Sequence, residues 1–115
     1  MREIKFRGWN KKSHMMVDNI QLFSPKDTYS LNEAFDPEMI VLPLQYTGMK
    51  DKNKTEIYEG DIVKHFFNGE LLANEVSFKR GTYMLGNYHL GYALDGEMAG
   101  KATIIGNVYQ NKDLL

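Results

Sequence analysis

The chain has 115 residues, 43% of them hydrophobic and 25% charged, which is one domain of ordinary globular composition and excludes disordered, collagen-like and coiled-coil classes. A formal charge of −1 creates no overall field toward nucleic acid or an anionic membrane. The absence of cysteine excludes disulfides, dithiol redox chemistry and thiolate zinc sites, and fits a reducing cytosol.

Neither a signal-peptide-like start nor a run near the ~20 apolar residues of a membrane helix is read in the chain, so no membrane association is expected. Apolar residues instead fall in short runs broken by turn formers about every eight to twelve residues, the spacing of all-β sandwiches and barrels.

Residues 2–9 alternate, with Ile4 and Phe6 on one face and Glu3, Lys5, Arg7 and Trp9 on the other, which predicts a half-buried strand. Asn10-Lys11-Lys12-Ser13 reads as a turn. Residues 14–17 and 19–23 form a second strand, bent at Asp18, before Ser24-Pro25-Lys26-Asp27 breaks the chain. Ser30 and Glu33 have capping-box spacing, and Leu31, Ala34 and Phe35 share a face, so at most one short helix is predicted, over residues 30–35 and stopped by Pro37.

Residues 39–42 and 44–47 are strand-like, with Pro43 confining them to a sheet edge or a bend. Lys50-Asp51-Lys52-Asn53-Lys54 forms a charged, solvated tip, and Glu59-Gly60-Asp61 turns the chain into a strand ending at Phe67. Asn68-Gly69 is the strongest local signal, because asparagine and glycine tolerate the left-handed backbone of a two-residue hairpin. Lys79-Arg80-Gly81 turns, residues 82–85 return, the evenly spaced glycines at 81, 86, 91 and 96 punctuate a loop with short strands, and residues 103–109 form the last strong strand. Gly48, Gly60, Asp61, Asn68, Gly69, Gly106 and Asn107 are read as structural turn positions.

Chemistry-bearing residues are sparse. His14, His65 and His89 show no metal-ligand spacing, so neither a metal nor a cofactor is expected. No P-loop, G-x-S-x-G elbow, dinucleotide fingerprint or H-E-x-x-H occurs, so no catalytic residue is assigned and a non-enzymatic protein is expected. Glu56, Glu59 and Asp61 crowd one turn. Acid–base work or a hard cation is one reading, but a solvated turn in which Asp61 bonds its own backbone is the commoner outcome.

Lys5, Arg7 and Trp9 lie along one predicted strand face, followed by Lys11 and Lys12. A basic ribbon bearing an aromatic ring suits phosphate neutralisation and base stacking. Lysine on an edge strand also protects against aggregation, and Trp9 also suits a core cap, so the nucleic-acid reading is the less favoured one.

Four blocks carry a family resemblance: Arg2-Glu3-Ile4-Lys5-Phe6-Arg7-Gly8-Trp9, Leu44-Gln45-Tyr46-Thr47-Gly48-Met49-Lys50-Asp51-Lys52-Asn53, Glu56-Ile57-Tyr58-Glu59-Gly60-Asp61-Ile62-Val63 and Ile105-Gly106-Asn107-Val108-Tyr109-Gln110-Asn111. In this order they resemble the YopX-like proteins of bacteriophages and prophages. The resemblance runs from end to end, with the middle segments 16–36 and 79–102 matching poorly. It implies a single YopX-like domain: residues 1–43 a β meander plus the short helix, and residues 44–115 containing a small SH3-like barrel, a mainly β fold with α+β as the alternative.

The resemblance also implies a phage or prophage accessory protein in the host bacterial cytoplasm, and it supplies no catalytic residues. The expected function is an interaction or assembly module whose partner is a second copy or a phage or host protein. The alternative is nucleic-acid binding through Lys5, Arg7, Trp9, Lys11 and Lys12.

Overall fold

The structure is a computed structural model that describes residues 4–20, 41–67, 69–79, 81–86 and 92–115. It is mainly β with antiparallel sheets, as the turn spacing predicted. The chain divides into two compact units, Met1–Tyr46 and Thr47–Leu115.

In the first unit, strand β1 (Phe6–Asn10) lies between β2 (Met15–Ile20) and the first part of β3 (Val41–Lys50), antiparallel to both. The β1–β2 turn follows from Asn10: its side-chain oxygen accepts the amides of Lys12 and Ser13, each at 2.9 Å, and its carbonyl accepts the amide of His14. β2 continues through Asp18, but its pairing with β1 is irregular there, Asp18 and Asn19 standing together opposite Arg7, as the expected bend implies; β3 runs through Pro43, which stands opposite Gly8.

Two expectations for β1 are corrected. Trp9 is buried, at 7% exposure, whereas Ile4 is 67% exposed, the reverse of the faces that strict alternation assigns. Strand β1 pairs with β3 without interruption from Phe6 to Asn10, so the register shift against β2 lies in β2, where Asp18 and Asn19 together stand opposite Arg7, and Ile4 precedes the strand altogether. Nor is β1 an edge, since strands cover both of its sides.

The second unit contains the end of β3 and its neighbour β4 (Glu56–Tyr58), then β5 (Asp61–Phe67), β6 (Glu70–Lys79), β7 (Thr82–Leu85), β8 (Tyr92–Ala93), helix α1 (Gly96–Ala99) and β9 (Thr103–Asn107), with a 3₁₀ turn at Lys112–Leu114. A five-stranded sheet in the order β8-β7-β6-β5-β9 curls into half a barrel. Alternate residues of β5 to β7 point inward, so Val63, Val76, Tyr83 and Leu85 join Ile57, Leu94, Ala99 and Ala102 in one core.

The strand corners follow from local chemistry. β5 and β6 pair with Phe67 opposite Glu70, which leaves a two-residue loop whose Gly69 has φ +81°; Asn68 lies outside the described residues. Asp61 turns its carboxylate back on its own turn and accepts the Tyr58 amide at 2.8 Å. Gly60 has φ +88° and bridges three segments, donating to the Val76 carbonyl and accepting from the Val108 amide, both at 2.8 Å.

The helix predicted over residues 30–35 also lies outside the described residues. The helix they do contain is α1, capped by Asp95, whose side chain accepts the Met98 amide at 2.8 Å.

Candidate functional site

The sequence singled out the basic N-terminal strand first. Lys5 packs its ammonium over the Tyr46 ring, 4.9 Å from the centroid. Trp9 is buried and meets His14 edge-on, with ring centroids 6.1 Å apart. Lys11 and Lys12 stand exposed in the turn, and Arg7 is half-buried. The structure therefore separates the indole from the solvated lysines, and a stacked nucleic-acid base would not reach its face.

The carboxylates around Gly60 do not converge into an acid–base site. Asp61 is buried and engaged with backbone, while Glu56 and Glu59 are half-buried. Among the described residues no group of three or more histidines and carboxylates is placed to hold a metal ion. The remaining turn positions serve backbone geometry: Gly48 bends β3 with φ +83°, the side chain of Asn107 accepts the Tyr109 and Gln110 amides, and Asn111 accepts the Asn107 amide while crowding Gly106.

Three features of the second unit were not read from the sequence as candidate sites, the last of them expected only as a charged, solvated tip. The first is a cleft of about 370 Å³ lined by His65, Phe66, Asp95, Glu97, Met98 and Lys101. His65 alternates inward from β5 and is 2% exposed; its Nε2 lies 2.9 Å from the Asn74 amide nitrogen. Burial lowers its pKa below the ordinary histidine value, opposed in part by a hydrogen bond with the Phe66 backbone. The cleft is thus floored by a neutral imidazole at pH 7, with Glu97 and Lys101 paired at 3.4 Å on its rim.

The second feature is apolar. Phe66 and Leu71 stand directly opposite each other on the outer face of the β5–β6 hairpin and are 70% and 50% exposed. Their own alternation announced them: Val63 and His65 point inward, so Phe66 must point out. A cross-strand aromatic–aliphatic pair held this way is a preformed apolar surface rather than a mobile one.

The third is the loop between β3 and β4. Asp51 is buried and accepts three amides, those of Asn53 at 2.8 Å, Thr55 at 3.0 Å and Ile104 at 3.0 Å. Its backbone pairs with Thr55 and Lys54, and the Lys52 amide donates to the Ala102 carbonyl at 2.9 Å. Around this fixed centre Lys50, Lys52, Asn53, Lys54 and Thr55 are all exposed. Lys54 holds φ +65°, a left-handed conformation that costs a side-chain-bearing residue energy.

Comparison with known proteins bears on the whole chain. The profile of the family described as YopX protein matches residues 5–115, which bears out the resemblance read from the four sequence blocks. Among solved structures, the crystal structure of protein EF1440 from Enterococcus faecalis is similar with a TM-score of 0.75 at 23% identity, covering 100% of this chain and 99% of that one. That likeness shows a shared fold. The curated proteins yield no match.

Proposed function

Because the chain belongs to the YopX protein family, we propose that it is a phage or prophage accessory protein that acts without catalysis, as an interaction module in the host bacterial cytoplasm. One observation carries this reading: the exposed Phe66–Leu71 pair on a hairpin rooted in the core. A large exposed aromatic beside an exposed aliphatic residue leaves apolar area in water, at a cost of roughly 25 cal/mol per Å², and a docked protein surface would recover it. The hairpin cannot turn these residues inward, since its other face already supplies Val63 and Val76 to the core.

In support of this reading, three buried ionisable groups of the second unit have structural partners: Asp51 and Asp61 engage backbone amides and His65 engages Asn74. No helix among the described residues is long and apolar enough to cross a membrane. Site-directed photo-crosslinking in host cells tests the proposal. A crosslinking amino acid at position 66 should trap one discrete protein, a second copy of the chain included, while the same group at exposed Lys112 traps none. Equal, diffuse labelling from both positions would remove the proposal.

A further inference from the structure

Independently of the hairpin face, we propose that the β3–β4 loop, residues 50–55, contacts the sugar–phosphate backbone of nucleic acid through Lys50, Lys52 and Lys54.

The charge arrangement points there first. Three lysines within five residues face solvent, and none makes an ion pair among the described residues. The one carboxylate in the loop, Asp51, is turned inward onto three backbone amides. The surface of the loop thus offers three cations and the neutral hydrogen-bonding groups of Asn53 and Thr55, with no acidic side chain of its own among them.

Geometry adds a second argument. The loop is held by its own backbone bonds and by Ala102 and Ile104 of the segment opposite, so an incoming polyanion would not have to order it. Lys54 keeps a left-handed backbone that glycine would adopt without strain. The fold gains nothing from a lysine there, whereas a cationic surface does.

The kind of polyanion follows from what the loop lacks. It exposes no apolar side chain, so an acidic protein would find no anchor to bury, and protein interfaces draw their affinity from such anchors. Lysine ammonium groups are point charges that neutralise phosphates without reading bases, which suits a regularly charged polymer bound irrespective of sequence. With a formal charge of −1 on the whole chain, the contact is local and sensitive to salt.

Fluorescence anisotropy with labelled 20-nucleotide single- and double-stranded DNA tests the proposal on the full chain. Three phosphate contacts give a log affinity that falls against log salt with a slope of about −2 for single strands and about −2.7 for duplex. The triple variant Lys50→Gln, Lys52→Gln, Lys54→Gln should abolish binding, the corresponding arginine triple should retain it, and Lys11→Gln with Lys12→Gln should leave it unchanged. Circular dichroism and thermal melting confirm that each variant folds. The proposal is overturned if the wild-type chain does not bind at low salt, if the glutamine triple binds as well as wild type, if Lys11 and Lys12 carry the binding instead, or if polyglutamate binds as tightly as DNA.

Discussion

Tyr109 stands so close to Gly60 that a methyl group at position 60 would lie 2.8 Å from its ring carbon Cε2. The ring packs over a residue that already joins β6 to the segment after β9 by two backbone hydrogen bonds. Gly60→Ala therefore meets two penalties, the steric contact and a side chain at φ +88°. Together they should cost about 2–3 kcal/mol in urea denaturation. A double-mutant cycle with Tyr109→Ala should return the steric part and leave the backbone part; full additivity would show that the ring is irrelevant.

Asp51→Ala should cost about 2–4 kcal/mol, because the amides of Asn53, Thr55 and Ile104 would lose their acceptor together. Asp51→Asn keeps one acceptor oxygen and should lose roughly half as much. Amide hydrogen exchange of Ile104 provides the direct readout, and protection unchanged in the alanine variant would contradict the assignment.

Lys54→Gly should stabilise the chain by about 0.5 kcal/mol, relief of the left-handed strain slightly exceeding the entropy that glycine adds to the unfolded state. The same substitution should weaken DNA binding and make the salt slope about 0.7–0.9 less negative. Opposite signs in stability and affinity would be hard to obtain from a generally perturbed loop.

The depressed pKa of His65 fixes the direction of a pH effect. As pH falls through the ordinary histidine value of 6.5, the unfolded chain takes up the proton before the folded one. Stability linked to His65 is thus fully present above that value and declines below it. Unfolding free energies measured from pH 7.5 to 5 should decrease more in wild type than in His65→Gln, and parallel curves would contradict the burial argument.

Burial of Trp9, the single tryptophan, predicts blue-shifted emission and weak iodide quenching. Adding DNA should not quench it, whichever surface DNA meets. Strong quenching by a short oligonucleotide would restore the N-terminal strand as the contact.

Much of the fold was legible because its corners are local events. Asn10 folds its side chain onto the next turn, Gly60-Asp61 closes on Tyr58, and Gly69 with its left-handed backbone opens β6 opposite β5, each within a few positions. The faces of β1 were not legible, since Ile4 precedes the strand and the burial of Trp9 is set by packing that alternation along one strand does not encode. Helix α1 was missed because four residues carry no 3.6-residue periodicity; the pairing of Asp95 with Met98 was its only local sign. The role of Asp51 was hidden for another reason. Its third partner, Ile104, is 53 positions away, and no local rule connects them.

That separation sets an order of events during synthesis. A ribosome adding about 5–20 residues per second delivers the lysine loop several seconds before the strand that clasps it. Until Ile104 has emerged, Asp51 has only the neighbouring amides of Asn53 and Thr55 to accept, and its second oxygen lacks its distant partner. The loop thus closes on itself from its own residues first, and its clasp to the last strand is an attachment made only by the finished polypeptide.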